Sequence, residues 1–171
     1  MNRILAIREG GAVQRFHASP HLCHYDVAQH SWGMAAMLFV LNPDASRELI
    51  YACLFHDVAE RWVGDMPAPM KWSNKIVQEE MHRTEERIER QLGINIQLTE
   101  IEQKWLKALD LLDLYIFCMH ERAMGNTLLN KTEELCLKML TEEPWIPSAV
   151  TEWVQNTLDF RRTTDWLTKD I

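Results

Sequence analysis

The chain has 171 residues, 47% of them hydrophobic and 25% charged, a composition typical of one globular domain. Its formal net charge is −7, and such a surface repels nucleic-acid polymers, so we predict no polymer partner, whereas a small phosphorylated molecule stays compatible with a locally basic pocket. No stretch approaches the about 20 apolar residues of a membrane span, and the N-terminus has no apolar stretch long enough for a signal peptide. The four cysteines include no C-x-x-C pair, and we expect them to be free thiols, which suggests a reducing compartment. We therefore predict no membrane partner and a cytoplasmic location, which for a viral chain would be the host cytoplasm.

Helical periodicity runs along the chain and no β-alternation persists, so we predict an all-α, single-domain helical bundle spanning residues 1–171. Helices are expected at about 2–9, 26–41, 44–62, 73–92, 99–124, 127–141 and 147–168. Between them lie two long interruptions, at about 10–25 and 63–72. Because long loops in compact domains usually carry function, we predict that both are functional.

Several helix ends carry recognisable signals. Asp26 is placed to cap the second helix, and Asn42 before Pro43 is placed to end it. Thr99 and Glu102 have capping-box spacing, and Gly93 follows the last periodic residue of the charged helix.

The sharpest chemical signal is the His56-Asp57 pair inside the apolar run Leu54–Glu60. An ionisable pair is costly to bury there unless it is paired or binds something. Glu60 lies one helical turn after His56, so it could lie over a metal held by His56 without being a ligand.

Two further residues extend this pair to a possible metal site. His30 and Asp110 both lie among apolar neighbours at helical spacing, on two other predicted helices. Two imidazoles and two carboxylates suit a divalent transition ion and could leave positions open for water and substrate. The alternatives are that His30 is a hydrogen-bonded core histidine, and that Asp110 is an ordinary helix acid or yields its role to Asp113.

The order His…His-Asp…Asp resembles the HD-domain superfamily of metal-dependent phosphohydrolases, and longer motifs resemble its 5′-deoxynucleotidase-like branch. The segments that carry the resemblance are Arg15-Phe16, Val27–Ser31, His56–Lys71, Lys107–Asp110 and Gly125-Asn126. The resemblance covers about residues 12–126, and its register selects Asp110 over Asp113. Two positions depart from the usual pattern: Gln29 stands where glutamate is common, and Phe16 where tryptophan is usual.

The resemblance implies a role for each matched position. The metal ligands would be His30, His56, Asp57 and Asp110, holding one divalent transition ion (Co, Mn or Zn), with Mg possible beside a triphosphate. Glu60 would position or deprotonate the attacking water, and Asp65 would help proton transfer or hold the sugar. The substrate contacts would be Arg15, Lys71 and Lys107 for phosphate, and Phe16 for sugar or base.

Three functions remain open at this point. The compact chain favours a triphosphohydrolase that takes a dNTP, dATP-like by resemblance to small viral relatives, to deoxynucleoside plus triphosphate. The alternatives are a 5′-nucleotidase acting on deoxynucleoside monophosphates and a non-catalytic nucleotide-binding module. Candidates for extra phosphate cations are Arg61, Lys75 and Lys107, and candidates for a purine pocket are Phe16, Trp32 and Trp72. The resemblance also implies a homo-oligomer.

Overall fold

The structure, a computed structural model, describes residues 2–67, 70 and 73–163. Within them the chain is helical, with one isolated β-bridge between Gln14 and Asp26 and no strand, so the predicted all-α class is confirmed. The helices are α1 (Arg3–Gly10), α2 (Val27–Leu41), α3 (Arg47–Phe55), α4 (Glu60–Val63), α5 (Lys75–Leu92), α6 (Glu100–Ala123), α7 (Asn130–Glu142) and α8 (Ser148–Thr163). None of these helices is long and apolar enough to cross a bilayer.

The predicted helix ends are largely confirmed. The Asp26 side chain caps α2 by accepting the Gln29 N–H, and Thr99 and Glu102 form the reciprocal capping box of α6. Gly93 ends α5 in the left-handed conformation, with φ 64°. The expected extension of the last helix to residue 168 lies outside the described residues.

The prediction of one continuous helix over about 44–62 was wrong. Ser46 caps α3, and the helix ends at Phe55, immediately before the His-Asp pair. The chain then tightens, because Val58 donates its N–H to the carbonyl three residues back rather than four. Tertiary packing explains this turn: a Cβ on Gly10 of α1 would lie 2.9 Å from the Val58 carbonyl oxygen.

α6 is the central helix. Its buried residues Ala108, Leu112 and Tyr115 pack in one apolar cluster with α7 and α8. Leu109, on another side of α6, packs with α2 and α3. This arrangement brings α2, the end of α3 and the middle of α6 together.

The loop that precedes α2 is tied to the start of that helix by backbone hydrogen bonds. Arg15 donates its N–H to the Tyr25 carbonyl at 2.9 Å, and Val27 donates to the Val13 carbonyl at 3.0 Å. This pairing holds Arg15 close to the first turn of α2, which carries His30.

Candidate metal centre

Three side chains from three different elements converge where α2, α3 and α6 meet. His30 comes from the first turns of α2, His56 from the end of α3, and Asp110 from the middle of α6. Their ligand atoms all lie within 4.8 Å of one another. His30 is fully buried, whereas 48% of the Asp110 side chain is exposed, so the cluster is reached from the Asp110 side.

The two imidazoles are oriented as metal ligands are. His30 Nδ1 lies 2.8 Å from Asp113 Oδ2, and His56 Nδ1 lies 3.2 Å from the Ala52 carbonyl oxygen. The opposite nitrogen of each ring, Nε2, is buried and makes no hydrogen bond. A ligating histidine usually donates its other ring N–H to a carbonyl or carboxylate, so this donor set fits a divalent ion.

Asp57 and Arg15 complete the cluster. Asp57 Oδ2 lies 3.2 Å from His56 Nε2 and 3.6 Å from His30 Nε2. The Arg15 guanidinium donates to Asp57 Oδ2 and, at 3.0 Å, to Asp110 Oδ1. Arg15, predicted as a phosphate contact, therefore lies against two predicted metal ligands, and its Nε is buried without a hydrogen bond.

The ionisation of the cluster reflects its opposed charges. Burial favours neutral His56, but the close contact with Asp57 and the charge of Asp110 together outweigh burial and raise the His56 pKa to about 9. Burial likewise favours neutral Asp110, yet His30 and the Arg15 charge lower the Asp110 pKa to about 2. The Asp57 pKa is also lowered, because His56 and Arg15 outweigh its burial. Both aspartates are therefore carboxylates at neutral pH.

Glu60 and Asp65 flank the cluster without joining it. Glu60 is the first residue of α4 and is 5% exposed. Burial lowers the pKa of Arg15, but the charges of Asp57, Asp110 and Glu60 outweigh burial and raise it. Asp65 accepts the Phe16 backbone N–H at 2.8 Å. Phe16 has φ 57°, a left-handed conformation that costs a non-glycine residue about 1–3 kcal/mol, and the Asp65 contact helps to hold it.

Phe16 belongs to a small aromatic group beside Arg15. Its ring meets Phe117 edge-on at 6.2 Å, and Tyr25 stacks on Phe117 with a centroid distance of 4.2 Å. His21 meets Phe117 at 5.6 Å. The group packs buried aromatic rings beside Arg15, and the sequence alone did not indicate that Phe117 belongs to it.

The remaining residues predicted to contact phosphate or base, where the structure describes them, lie at different distances from the cluster. Lys107 is exposed one helical turn before Asp110, whereas Arg61 is paired with Glu9 of α1. Trp32 is 71% exposed and, two residues from buried His30, projects from the opposite side of α2, away from the site. The remaining candidates are Lys75, which is exposed at the start of α5, and Lys71 and Trp72, which lie outside the described residues.

The Gly125-Asn126 motif has a structural role that its sequence did not reveal. Asn126 donates to Glu121 Oε2 at 2.6 Å and to the Pro20 carbonyl at 3.2 Å. Glu121 also accepts the backbone N–H groups of Leu22 and Cys23. The end of α6 thus anchors the loop that carries Arg15 and Phe16.

Comparison with known proteins agrees with this geometry. A family model described as an HD domain matches residues 13–111, more than half of the chain. A 5′-deoxynucleotidase from Shewanella oneidensis is 28% identical over an alignment of 106 positions, and the match covers 53% of this chain and 54% of that protein. The chain therefore spans about half the length of the curated relative it matches.

A solved structure resembles nearly the whole chain. It is the cyanophage S-2L HD phosphohydrolase (DatZ), bound to dA and one catalytic Zn²⁺ ion, with TM-score 0.66 and 16% identity. The match covers 95% of this chain and 96% of that one, so the fold extends through α7 and α8.

Proposed function

The chain belongs to the HD-domain family, and on that premise we propose that it is a metal-dependent phosphohydrolase acting on 2′-deoxynucleotides. The observation that carries the proposal is the convergence of His30, His56 and Asp110, with both Nε2 atoms buried and without hydrogen bonds. Nearby stand a buried carboxylate, Glu60, and a cation with an unused donor, Arg15. A hydrolytic metal site needs both kinds of group beside its ligands.

We assign His30, His56, Asp57 and Asp110 as the ligands of one divalent transition ion, Co, Mn or Zn. Such an ion supplies Lewis-acid activation of water and of a phosphoryl oxygen. Mg²⁺ accompanying a triphosphate substrate would be a separate ion from the one held by these ligands.

The remaining residues act on substrate and protons. Glu60 accepts the proton of the attacking water, because it is the buried carboxylate one turn beyond His56. Arg15, whose guanidinium lies beside Asp57 and Asp110, binds a non-bridging phosphate oxygen, and Lys107 lies within one helical turn of Asp110 for a second phosphate. Phe16 packs on the sugar or base, while Asp65 fixes its backbone.

Within this class we propose cleavage at the α-phosphorus of a dNTP, dATP-like, giving deoxynucleoside and triphosphate. Two observations support this choice over a monophosphate. The fold matches DatZ, which binds dA, over almost its full length, whereas the 5′-deoxynucleotidase matches over about half of its own. Lys107 also provides an exposed cation next to the site. The 28% identity to the 5′-deoxynucleotidase favours monophosphate hydrolysis as the second candidate.

Chromatography of the products from each dNMP and dNTP, with Co²⁺, Mn²⁺, Zn²⁺ and Mg²⁺ in parallel, tests the proposal. Triphosphate released from one dNTP is the expected result and identifies the base. Phosphate released only from monophosphates would establish the 5′-nucleotidase instead. If metal is bound but neither series gives a product, the remaining interpretation is a non-catalytic nucleotide-binding module.

A substitution in the cluster tests the site itself. Asp57→Ala should remove metal uptake and turnover together, since Asp57 lies within 3.6 Å of both imidazole Nε2 atoms. Asp44→Ala, on an exposed residue between α2 and α3, is the matched control and should change neither. Full activity of Asp57→Ala would exclude this cluster as the catalytic site.

We also propose that the chain self-associates through the exposed face of α2. This helix contains no charged residue, yet Trp32, Phe39 and Val40 are more than 70% exposed. Helices that are apolar on all sides are normally buried. Two copies of α2 can pair antiparallel about a two-fold axis that passes between Ala35 and Ala36. This pairing places Trp32 of each copy beside Phe39 of the other, and the small alanines lie at the axis.

Light scattering during gel filtration tests the self-association. The double variant Trp32→Ser, Phe39→Ser should be monomeric, whereas Ile101→Ser, an equally exposed position on α6, should retain the wild-type mass. A monomeric wild-type protein, or an unchanged mass in the double variant, would overturn the assigned face.

A further inference from the structure

We infer that Asp113 is a positioning residue that fixes the orientation and tautomer of His30, supported by Tyr25 from the loop and by Gly33 on α2. The inference rests on the proposed metal centre and assigns a function to the acid that the family pattern leaves unused.

The contacts of the Asp113 carboxylate define this role. Its Oδ2 lies 2.8 Å from His30 Nδ1 and accepts the Tyr25 hydroxyl at 2.7 Å. An ionised carboxylate only accepts hydrogen bonds, so the proton of the neutral imidazole must lie on Nδ1. The lone pair of His30 is then on Nε2, the atom that faces His56 and Asp110.

The packing against α2 is an independent indication that Asp113 is built into this position. A Cβ added to Gly33 would lie 2.5 Å from Asp113 Oδ1, a separation that real Cβ atoms do not reach. Gly33 lies one turn after His30, on the same side of the helix. One carboxylate oxygen therefore contacts His30, while the other occupies the space that a side chain at position 33 would fill.

Tyr25 holds the carboxylate from the other side. Its side chain is 2% exposed, and its ring is fixed by stacking on Phe117 at 4.2 Å. Its hydroxyl also lies 3.3 Å from His30 Nδ1, so it restricts both partners of the hydrogen bond. Because its backbone carbonyl accepts the Arg15 N–H, Tyr25 connects the orientation of His30 to the loop that carries Arg15.

The spacing on α6 separates two acids by function. Asp110 and Asp113 are one turn apart and both face α2, but Asp110 lies near Nε2 of His30 and Asp113 near Nδ1. Asp113 is therefore on the far side of the ring from the ligand cluster. Partners of this kind contribute about 10- to 100-fold to metal affinity in other proteins.

The test titrates metal-free protein with Co²⁺, measuring the dissociation constant by competition with a chromophoric chelator and the geometry by the visible Co²⁺ spectrum. Asp113→Ala should weaken binding by about 10- to 100-fold and change the spectrum. Gly33→Ala should produce the same spectral change although Asp113 is retained, because its Cβ displaces the carboxylate. Tyr25→Phe should weaken binding by a smaller factor.

Two further variants separate positioning from folding. Asp113→Asn keeps an oxygen acceptor for Nδ1–H, so it should restore the wild-type spectrum and most of the affinity, even where Asp113→Ala folds poorly. Val154→Ala, at a fully buried position on α8, should lower stability and leave Co²⁺ binding unchanged. Wild-type affinity and spectrum in both Asp113→Ala and Gly33→Ala would overturn the inference. Failure of the wild-type protein to bind Co²⁺ would instead overturn the proposed metal site.

Discussion

Replacing Glu121 by glutamine tests the anchor of the loop that carries Arg15 and Phe16. The carboxylate is fully buried, and its two oxygens accept the backbone N–H groups of Leu22 and Cys23 and the Asn126 amide. Glutamine has nearly the same shape, but it offers one oxygen and an NH₂ group. Its NH₂ would therefore face a hydrogen-bond donor. Any loss of stability can then be assigned to the missing charge and hydrogen bonds rather than to a change in side-chain volume.

The size of the effect follows from the ionisation of Glu121. Burial alone would raise its pKa, but the hydrogen bonds from Cys23, Asn126 and Leu22 lower it from 4.5 to about 2. That difference corresponds to about 3 kcal/mol of native-state preference for the charged form. Glu121→Gln should therefore lower the free energy of unfolding at pH 7 by about 3 kcal/mol.

Urea denaturation of the metal-free protein, with a chelator present, measures this free energy across pH. Because the native pKa of Glu121 lies below the unfolded value, its contribution is complete above about pH 5 and is lost as pH falls towards 2. The difference between wild type and variant should shrink over the same range. Equal stability at pH 7, or a difference independent of pH, would refute the role assigned to the carboxylate.

Three predictions concern the site itself. Glu60→Gln should keep bound metal but lose about 10²- to 10⁴-fold in kcat, and wild-type turnover would exclude it as the base. Asp65→Ala removes the acceptor for the Phe16 N–H, so KM in steady-state kinetics should rise about tenfold with little change in kcat. A tenfold rise corresponds to about 1.4 kcal/mol of lost binding free energy. A selective fall in kcat would indicate that Asp65 acts in proton transfer instead. Metal at 100 times its Kd should raise the unfolding free energy by about 2.7 kcal/mol, and thermal melts of His56→Ala should lack this increment.

Much of the site could be predicted because its chemistry is unusual for its surroundings. His30, His56 and Asp110 stood out as ionisable residues among apolar neighbours, and the structure brings all three together. The capping box of Thr99 and the stop at Gly93 could be predicted because helix ends depend on local hydrogen bonds.

The break after Phe55 could not be predicted in the same way. The sequence from Arg47 to Val63 has no proline or glycine, and its apolar periodicity continues through the turn. What shortens the helix is the close approach of Val58 to Gly10, a contact between segments nearly fifty residues apart. Tertiary contacts of this kind override local helix preference.

The role of Asp113 was hidden for a related reason. From spacing alone, Asp110 and Asp113 are equivalent acids on one face of a helix. They differ only in which side of the His30 ring they meet, and Tyr25, from a loop 88 residues away, bonds one of them. A sequence pattern reports which residue types share a face, but not which neighbour each will contact.

The charge distribution bears on how an acidic chain would bind the polyanionic nucleotide of the proposed function. The cluster gathers the carboxylates of Asp57, Asp110 and Glu60 around the single guanidinium of Arg15. When both imidazoles are neutral, as metal ligation requires, this arrangement is two charges negative, so it favours a divalent cation and gains no affinity for phosphate by itself. In the proposed function, attraction for the substrate would then come from the bound cation together with Arg15 and Lys107. The net charge of −7 disfavours polymers at long range, while these few positive charges act only at the short distances of a bound nucleotide.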